Sequence, residues 1–339
     1  MVLRKVFSSA TLLIAAVLLL LTGTSPAFAA SSLASSNGLR VSPVRSDLTI
    51  KPGESQTIDV YVTNLTNGEA DIKAVADDFT ANPDESGTPA ILLNGEKAPA
   101  HSLKGFVTPI GNFTIPPKGT KNIKVTVAIP QGTPGGGYYA AIRFLPATTD
   151  DKGKKNVNLT ASVGSLLLVT VPGPYKEQVT LSSFDVRQRS DNGKMGQSSY
   201  LYTNNKNLYG VVRFNNTGDV QEEPFGKMQL KKGGKVIATY EINDTTPRGN
   251  VLPDSIRRFS VKLTGLGSIG KYTLEGNFGY GNKGQLLSAS TTFYIIPIWI
   301  LVIIGILILL IILGIFMIPK MLRKYNRGVI NKASRNARR

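Results

Sequence analysis

The sequence predicts a mainly β chain: two tandem immunoglobulin-like β-sandwich domains followed by one C-terminal transmembrane helix. Three observations predict it. A phrase is written twice, at Ile50–Asn64 ("IKPGESQTIDVYVTN") and at Ile115–Ile129 ("IPPKGTKNIKVTVAI"). In each copy a Pro/Gly turn leads into apolar residues at every second position, the period of a strand with one dry and one wet face. Pro and Gly fit poorly inside a central strand, so they mark the turn that delivers the chain into it. Second, many such runs follow one another between residues 40 and 293 with no convincing helical period, and half-buried strands need a second sheet to cover them. Third, Ile295–Ile318 is an apolar run without a charge.

Taken in order, the chain begins with Arg4 and Lys5 ahead of the apolar run Ala10–Leu21, closed by "SPAFAA". Ala27 and Ala29 have the small-residue spacing of a signal-peptide site, so residues 1–29 are expected to be a signal peptide cleaved between Ala29 and Ala30. The apolar run is shorter than the roughly 20 residues of a spanning helix, which argues against an uncleaved anchor. Residues 30–39 read as a flexible polar spacer.

The first sandwich is expected over residues 40–173, with strands at Asp47–Ile50, Gln56–Asn64, Ala70–Phe79, Phe113–Ile115, Lys121–Ile129, Gly137–Pro146 and Val157–Val171. Asn82–Lys104 has no clear period and reads as an excursion loop. "VPGPYK" at Val171–Lys176 admits neither strand nor helix and marks a boundary. The second sandwich, 177–293, has candidate strands at Val179–Val186, Leu208–Asn215, Lys227–Lys231, Val236–Ile242, Arg257–Leu263, Lys271–Tyr280 and Leu286–Tyr294. "KKGGKV" puts Gly233 and Gly234 where a two-residue hairpin turn needs positive φ.

Residues 295–318 are the expected membrane span, since a buried core helix would still show a polar stripe. Trp299 marks its outer flank, and Lys320, Arg323 and Lys324 its inner one. Residues 319–339 carry eight basic side chains and no acid, as the positive-inside rule asks of a cytoplasmic tail. The expected location is therefore the cell membrane, single-pass, with the ectodomain outside. The tail and the signal segment account for ten of the 39 basic residues; the other 29 face 22 acids, which weakens a nucleic-acid reading of the +17 net charge. The tail instead suits anionic lipid headgroups. The stretch 176–293 counts 16 basic against 10 acidic residues, an excess that suits headgroups or anionic wall polymers.

Cysteine is absent, which removes thiol catalysis and cysteine-ligated metals. The single histidine, His101, has no second histidine to work with and reads as a solvated loop residue. Asp77-Asp78, Asp84-Glu85, Asp150-Asp151 and Glu222-Glu223 are paired carboxylates, but sequence neighbours on a strand point to opposite faces, so they read as solvated turns. A weak calcium site around Asp77, Asp78 and Asp84 is the functional alternative. "TPGGGYY" leads into a strand and not a helix, so it is no phosphate loop; Gly135–Gly137 are expected to let the backbone turn tightly. No catalytic residue, cofactor or metal site is assigned.

"VSPVRSDLTIKPGESQTIDVYVTN", "FTIPPKGTKNIKVTVAIPQGTPGGGYYAAIRF" and "ASVGSLLLVTVPG" together resemble the N-terminal domain of the WxL-interacting surface proteins of Gram-positive bacteria, over Val41–Gly173. The resemblance implies attachment to peptidoglycan and the holding of a partner surface protein at the envelope. The motif of that family's second domain is not visible in 177–293, and no binding residue is carried over. A bacterial source would make the Asn-x-Ser/Thr sequons at Asn64, Asn112, Asn158, Asn215 and Asn243 incidental.

The function expected is a non-enzymatic single-pass surface protein that binds a cell-wall component or another envelope protein through its ectodomain, with strand addition at a sandwich edge as the binding mode. The alternative is an accessory subunit of a membrane complex or transporter. Gly305 and Gly314 are not at the four-residue spacing of a tight helix contact, which gives that alternative little support.

Overall fold

The computed structural model describes residues 38–93, 96, 101–147 and 162–336. The expected signal peptide, its cleavage point at Ala29 and Ala30, nearly all of the spacer, and Asp150, Asp151, Asn158, Arg338 and Arg339 lie outside these residues. The described chain is mainly β, with several sheets and one long C-terminal helix.

In the first half the strands are β1 (Leu39–Ser42), β2 (Arg45–Thr49), β3 (Ser55–Asn64), β4 (Ala70–Ala81), β5 (Pro89–Leu92), β6 (Phe113–Ile115), β7 (Thr120–Ala128), β8 (Gly136–Pro146) and β9 (Val163–Val171), with one 3₁₀ turn at Lys104–Phe106. One sheet runs β1-β3-β7; the other runs β2-β9-β8-β4-β5, with β6 also on β4. The doubled phrase thus builds two neighbouring strands: β3 and β7 pair antiparallel, with Ile58 opposite Val125 and Val60 opposite Ile123. Each Pro/Gly lead-in closes a turn, Glu54 N–H donating to the Lys51 carbonyl at 3.0 Å and Gly119 N–H to the Pro116 carbonyl at 3.0 Å. Val60, Val62, Val125 and Val127 are buried between the sheets with Ile72, Ile142, Phe144 and Leu167. The tight turn expected at Gly135–Gly137 is a backbone-to-backbone approach: a Cβ on Gly135 would lie 2.7 Å from the Gly173 Cα.

The second half holds β10 (Val179–Arg189), β11 (Met195–Ser198), β12 (Leu201–Tyr202), β13 (Leu208–Asn216), β14 (Phe225–Lys232), β15 (Lys235–Ile242), β16 (Ser255–Lys262), β17 (Gly270–Tyr280) and β18 (Gln285–Ile295). Sheets of order β11-β10-β13-β16 and β12-β18-β17-β14-β15 face each other over Phe214, Leu230, Tyr272, Leu274, Phe278 and Phe293. Gly233 and Gly234 join β14 to β15 with φ of 56° and 81°, the two positive values the hairpin turn requires.

Helix α1 (Ile298–Asn336) is long and apolar enough over Ile298–Lys320 to cross a membrane. It begins three residues later than the sequence suggested, because β18 claims Ile295 for its ladder. It also continues through Pro319 and into the expected tail as far as Asn336, with Lys320, Arg323 and Lys324 on its backbone. Trp299 is exposed in its first turn.

Candidate functional site

The two sheet pairs meet along a crevice of about 810 Å³. On one side lies β2, with Asp47, Leu48 and Thr49. On the other lie the β13–β14 connection (Gln221, Glu222, Glu223), the β15–β16 connection (Asp244 to Arg248) and the β17–β18 turn at Gly281 and Asn282.

Position of β2 follows from the break at Pro43. β1 pairs antiparallel with β3 in one sheet, whereas β2 pairs parallel with β9 in the other, so a single extended run changes sheets around a residue that has no N–H to give a ladder. β2 is the last strand of its sheet. Leu166 N–H donates to the Val44 carbonyl at 2.9 Å and Ile50 N–H to the Thr170 carbonyl at 3.2 Å, which sets the parity of the strand. Even-numbered residues turn their backbone groups toward β9; Arg45, Asp47 and Thr49 turn theirs outward. Beyond Arg45 this edge opens on the crevice.

Several bonds hold the walls together. Arg45 donates to the Glu223 carboxylate at 2.5 Å and to the Arg248 carbonyl at 2.6 Å. Tyr139 donates its hydroxyl to the Gln221 side chain at 2.9 Å, which in turn donates to Thr170 at 3.1 Å. Gly137 N–H donates to the Asp219 carbonyl at 2.8 Å. Further along the seam, both nitrogens of the Arg213 fork grip the Glu85 carboxylate, Nε at 2.8 Å, and Arg258 N–H donates to the Glu85 carbonyl at 2.9 Å. That hydrogen bond from Arg213 is the main reason the Glu85 carboxyl sits below its ordinary range. Phe79, Tyr139, Ala141 and Leu168 form a small apolar cluster closed by Leu252 from the opposite half.

Electrostatically the crevice is unbalanced. Glu222 is only 4% exposed, and its Oε1 has no hydrogen-bond partner among the described residues. Burial pushes its carboxyl up to about 7; neighbouring Glu177 and Glu223 push the same way and the Gly281 N–H opposes them. The Asn250 amide and the Arg257 Nε are likewise buried and unpartnered among the described residues, and burial, with Arg45 nearby, pulls the Arg257 guanidinium down. These unmet groups are sealed inside the wall; what the crevice offers to another chain is the outward backbone of β2 at Asp47 and Thr49.

Residues singled out from sequence fall elsewhere, or otherwise than expected. Glu222 is a buried wall residue and not a solvated turn, because β14 and the β17–β18 turn close over it. Asp77 and Asp78 are also buried: Arg143 donates to Asp77 at 2.8 Å and Ser102 to Asp78 at 2.5 Å. Asp84 accepts from the Ser86 N–H at 2.8 Å, so the three carboxylates suggested for calcium have separate partners and share no ligand point. His101 is half-buried against the rings of Tyr138 and Tyr139, with centroids 6.1 and 6.4 Å away, and its carbonyl accepts from Tyr139 N–H at 2.8 Å. Arg45 and the outward parity of β2 were missed, although the Ser-Pro break in "VSPVRSD" was the signal for a strand that changes sheets.

No protein-family model matches the chain, and no similar protein was found among curated sequences. Among solved structures the chain is similar to the class 5 fimbriae chaperone CfaA (13% identity, 77% of this chain and 100% of that one, TM-score 0.37). It is also similar to the E. coli chaperone DraB (15%, 76% and 96%, TM-score 0.31) and to a Salmonella enterica SafA pilin in complex with the SafB chaperone (12%, 76% and 96%, TM-score 0.32). At such identities and TM-scores these likenesses carry no weight for the function of this chain.

Proposed function

We propose that the chain is a non-enzymatic, single-pass surface protein that binds another envelope protein by adding an extended segment of it to the outer edge of β2. In this reading each sheet pair is an immunoglobulin-like domain, α1 is the anchor, and the basic end of α1 lies in the cytoplasm under the positive-inside rule. The observation that carries the reading is the edge itself: Asp47 and Thr49 turn backbone donors and acceptors into a crevice of about 810 Å³. Edge strands are the usual template for strand addition, with main-chain bonds supplying affinity and side-chain pockets selectivity. The resemblance to WxL-interacting proteins implies both a partner surface protein and peptidoglycan attachment, and for the stretch that contains β2 it implies the peptidoglycan contact, which is the competing outcome of the test below.

A photo-crosslinking residue at Thr49 of the full-length chain in intact cells tests this, with the same probe at Tyr61 on the outer face of β3 as the comparison. A discrete protein adduct from Thr49 and not from Tyr61 is expected. Wall-polymer adducts from Tyr61 with none from Thr49 would replace strand addition by peptidoglycan binding on the β1-β3-β7 face.

A further inference from the structure

The second sheet pair ends against α1 with almost no chain between them. β18 closes at Ile295, and only Ile296 and Pro297 precede Ile298. β12 lies alongside this junction: Tyr294 N–H donates to the Tyr200 carbonyl at 2.8 Å and Ile296 N–H to the Tyr202 carbonyl at 2.9 Å. Tyr202 is itself buried, donating its hydroxyl to the Val186 carbonyl and meeting the Phe293 ring edge-on at 6.0 Å. The junction therefore has little slack. Two extended residues reach about 7 Å, similar to the roughly 6 Å of headgroup layer on each side of the hydrocarbon. Where α1 enters hydrocarbon at Ile298, the end of the sheet pair has to lie in that layer.

The side chains at that end are unusual for a surface in water. Tyr200 is 75% exposed, and Leu201, Ile269 and Tyr294 are each more than two-fifths exposed, next to the exposed Trp299. Around them stands a ring of exposed lysines. Lys232 and Lys235 flank the Gly233–Gly234 turn, Lys262 ends β16, and Lys271 stands opposite Tyr294. Lys206 precedes β13 and Lys194 precedes β11. Acids are scarce among the exposed side chains of this end, where Asp191 in the β10–β11 turn accompanies Lys194, whereas at the opposite end Asp219, Glu222, Glu223, Asp244 and Asp254 are interspersed with Arg248, Arg257, Arg258 and Lys283. Tyr and Trp favour the membrane interface, and lysines can lay their stems on apolar surface while the ammonium reaches the headgroups.

We propose that this end of the second sheet pair is a membrane-docking surface for anionic phospholipid. Tyr200, Leu201, Ile269 and Tyr294 enter the interface, and the lysine ring contacts the headgroups. Docking fixes the height and tilt of the crevice above the bilayer. The inference rests on α1 being a span and is independent of what the crevice binds.

The absence of cysteine makes a single reporter unambiguous. Full-length Leu201→Cys and Leu286→Cys proteins, each carrying a polarity-sensitive fluorophore, are reconstituted in vesicles of phosphatidylcholine and phosphatidylglycerol with brominated acyl chains. Leu286 is 81% exposed and lies nine residues up β18 from Ile295, about 30 Å from the junction. The label at 201 should shift to the blue and lose most of its emission to bromine, while that at 286 keeps its own. Omitting phosphatidylglycerol, or introducing Lys206→Glu with Lys271→Glu, should weaken the quenching at 201. Equal emission from the two labels, with Trp299 still quenched, would overturn the proposal. Escape of Trp299 from quenching would overturn the span, and the docking surface with it. Quenching at 201 that ignores both phosphatidylglycerol and charge reversal would overturn the role given to the lysines.

Discussion

The guanidinium of Arg45, on the edge strand of the first sheet pair, lies 2.5 Å from the carboxylate of Glu223 in the second. A separate tie joins the same halves between Glu85 and Arg213. Both pairs are partly shielded, so each is worth more than an exposed surface bridge but less than a fully buried one, about 1–2 kcal/mol. Arg45→Ala and Arg213→Ala should each lower stability by about that amount, and the double variant by their sum, because the two ties share no partner. Urea denaturation of the three variants measures this; a double variant no worse than either single one would mean that the ties do not act independently.

Glu222 makes stability depend on pH. Its folded carboxyl titrates at about 7 against an ordinary 4.5, so the folded state holds a proton that the unfolded chain has released. Stability from this group is fully present below pH 4.5 and is lost as pH rises through 7. Glu222→Gln keeps the neutral shape and removes the titration. Relative to the parent, the variant should gain on the order of 2 kcal/mol at pH 8 and change little near pH 4. Melting curves of the two proteins at both pH values give the difference directly; a gap that does not vary with pH would mean that Glu222 is ionised in the fold.

Two asparagines close equivalent corners of the two sheet pairs. Asn64, at the end of β3, donates to the Gly68 carbonyl at 2.7 Å and accepts from Thr66 N–H at 2.9 Å. Asn216, at the end of β13, donates to the Val220 and Val251 carbonyls at 2.7 and 2.8 Å and accepts from Gly218 N–H at 2.9 Å. Both are fully buried. Alanine at either position strands several buried backbone groups, so a loss of about 2–4 kcal/mol is expected for each. A loss below 1 kcal/mol in denaturant titration would show that water replaces the amide.

The long strands could be read from sequence because each carries several turns of a period-two pattern. Ile123, Val125 and Val127 alternate with Lys124 and Thr126 whatever the neighbours do, and the structure moves β7 by a single residue. β1, β5, β11 and β12 escaped because their two to four residues show no period and no doubled phrase marks them, whereas the equally short β6 runs into the phrase that begins at Ile115. The site was less legible still. Nothing in "QEEPF" distinguishes Glu222 from Glu223, since the burial of one comes from a turn some sixty residues later in the chain. Asn64 stood out only as a sequon. β2 could be suspected as a strand, but its place at a sheet edge, and hence its open backbone, exists only after β9 has taken the other side.

That open backbone gives the sharpest test of strand addition. The Asp47 N–H points away from β9, so proline at 47 removes an outward donor and places a ring on the open edge without breaking a bond of the β2–β9 ladder. Asp47→Ala removes the same carboxylate, and its contact with Arg45 at 2.7 Å, but keeps the N–H. The two variants therefore differ in what the edge offers a partner strand and agree in what they remove from the side-chain network. Asp47→Pro should abolish the crosslink from Thr49 and weaken partner binding at least about tenfold, the equivalent of one well-made hydrogen bond together with a steric block. Asp47→Ala should bind within about threefold of the parent, because an exposed ion pair contributes little. Circular dichroism and the melting temperature show whether the proline variant keeps its sheets. If it keeps them and binds as the alanine variant does, the partner does not use the edge of β2, and binding in the crevice would have to run through side chains such as Glu222 and Arg248.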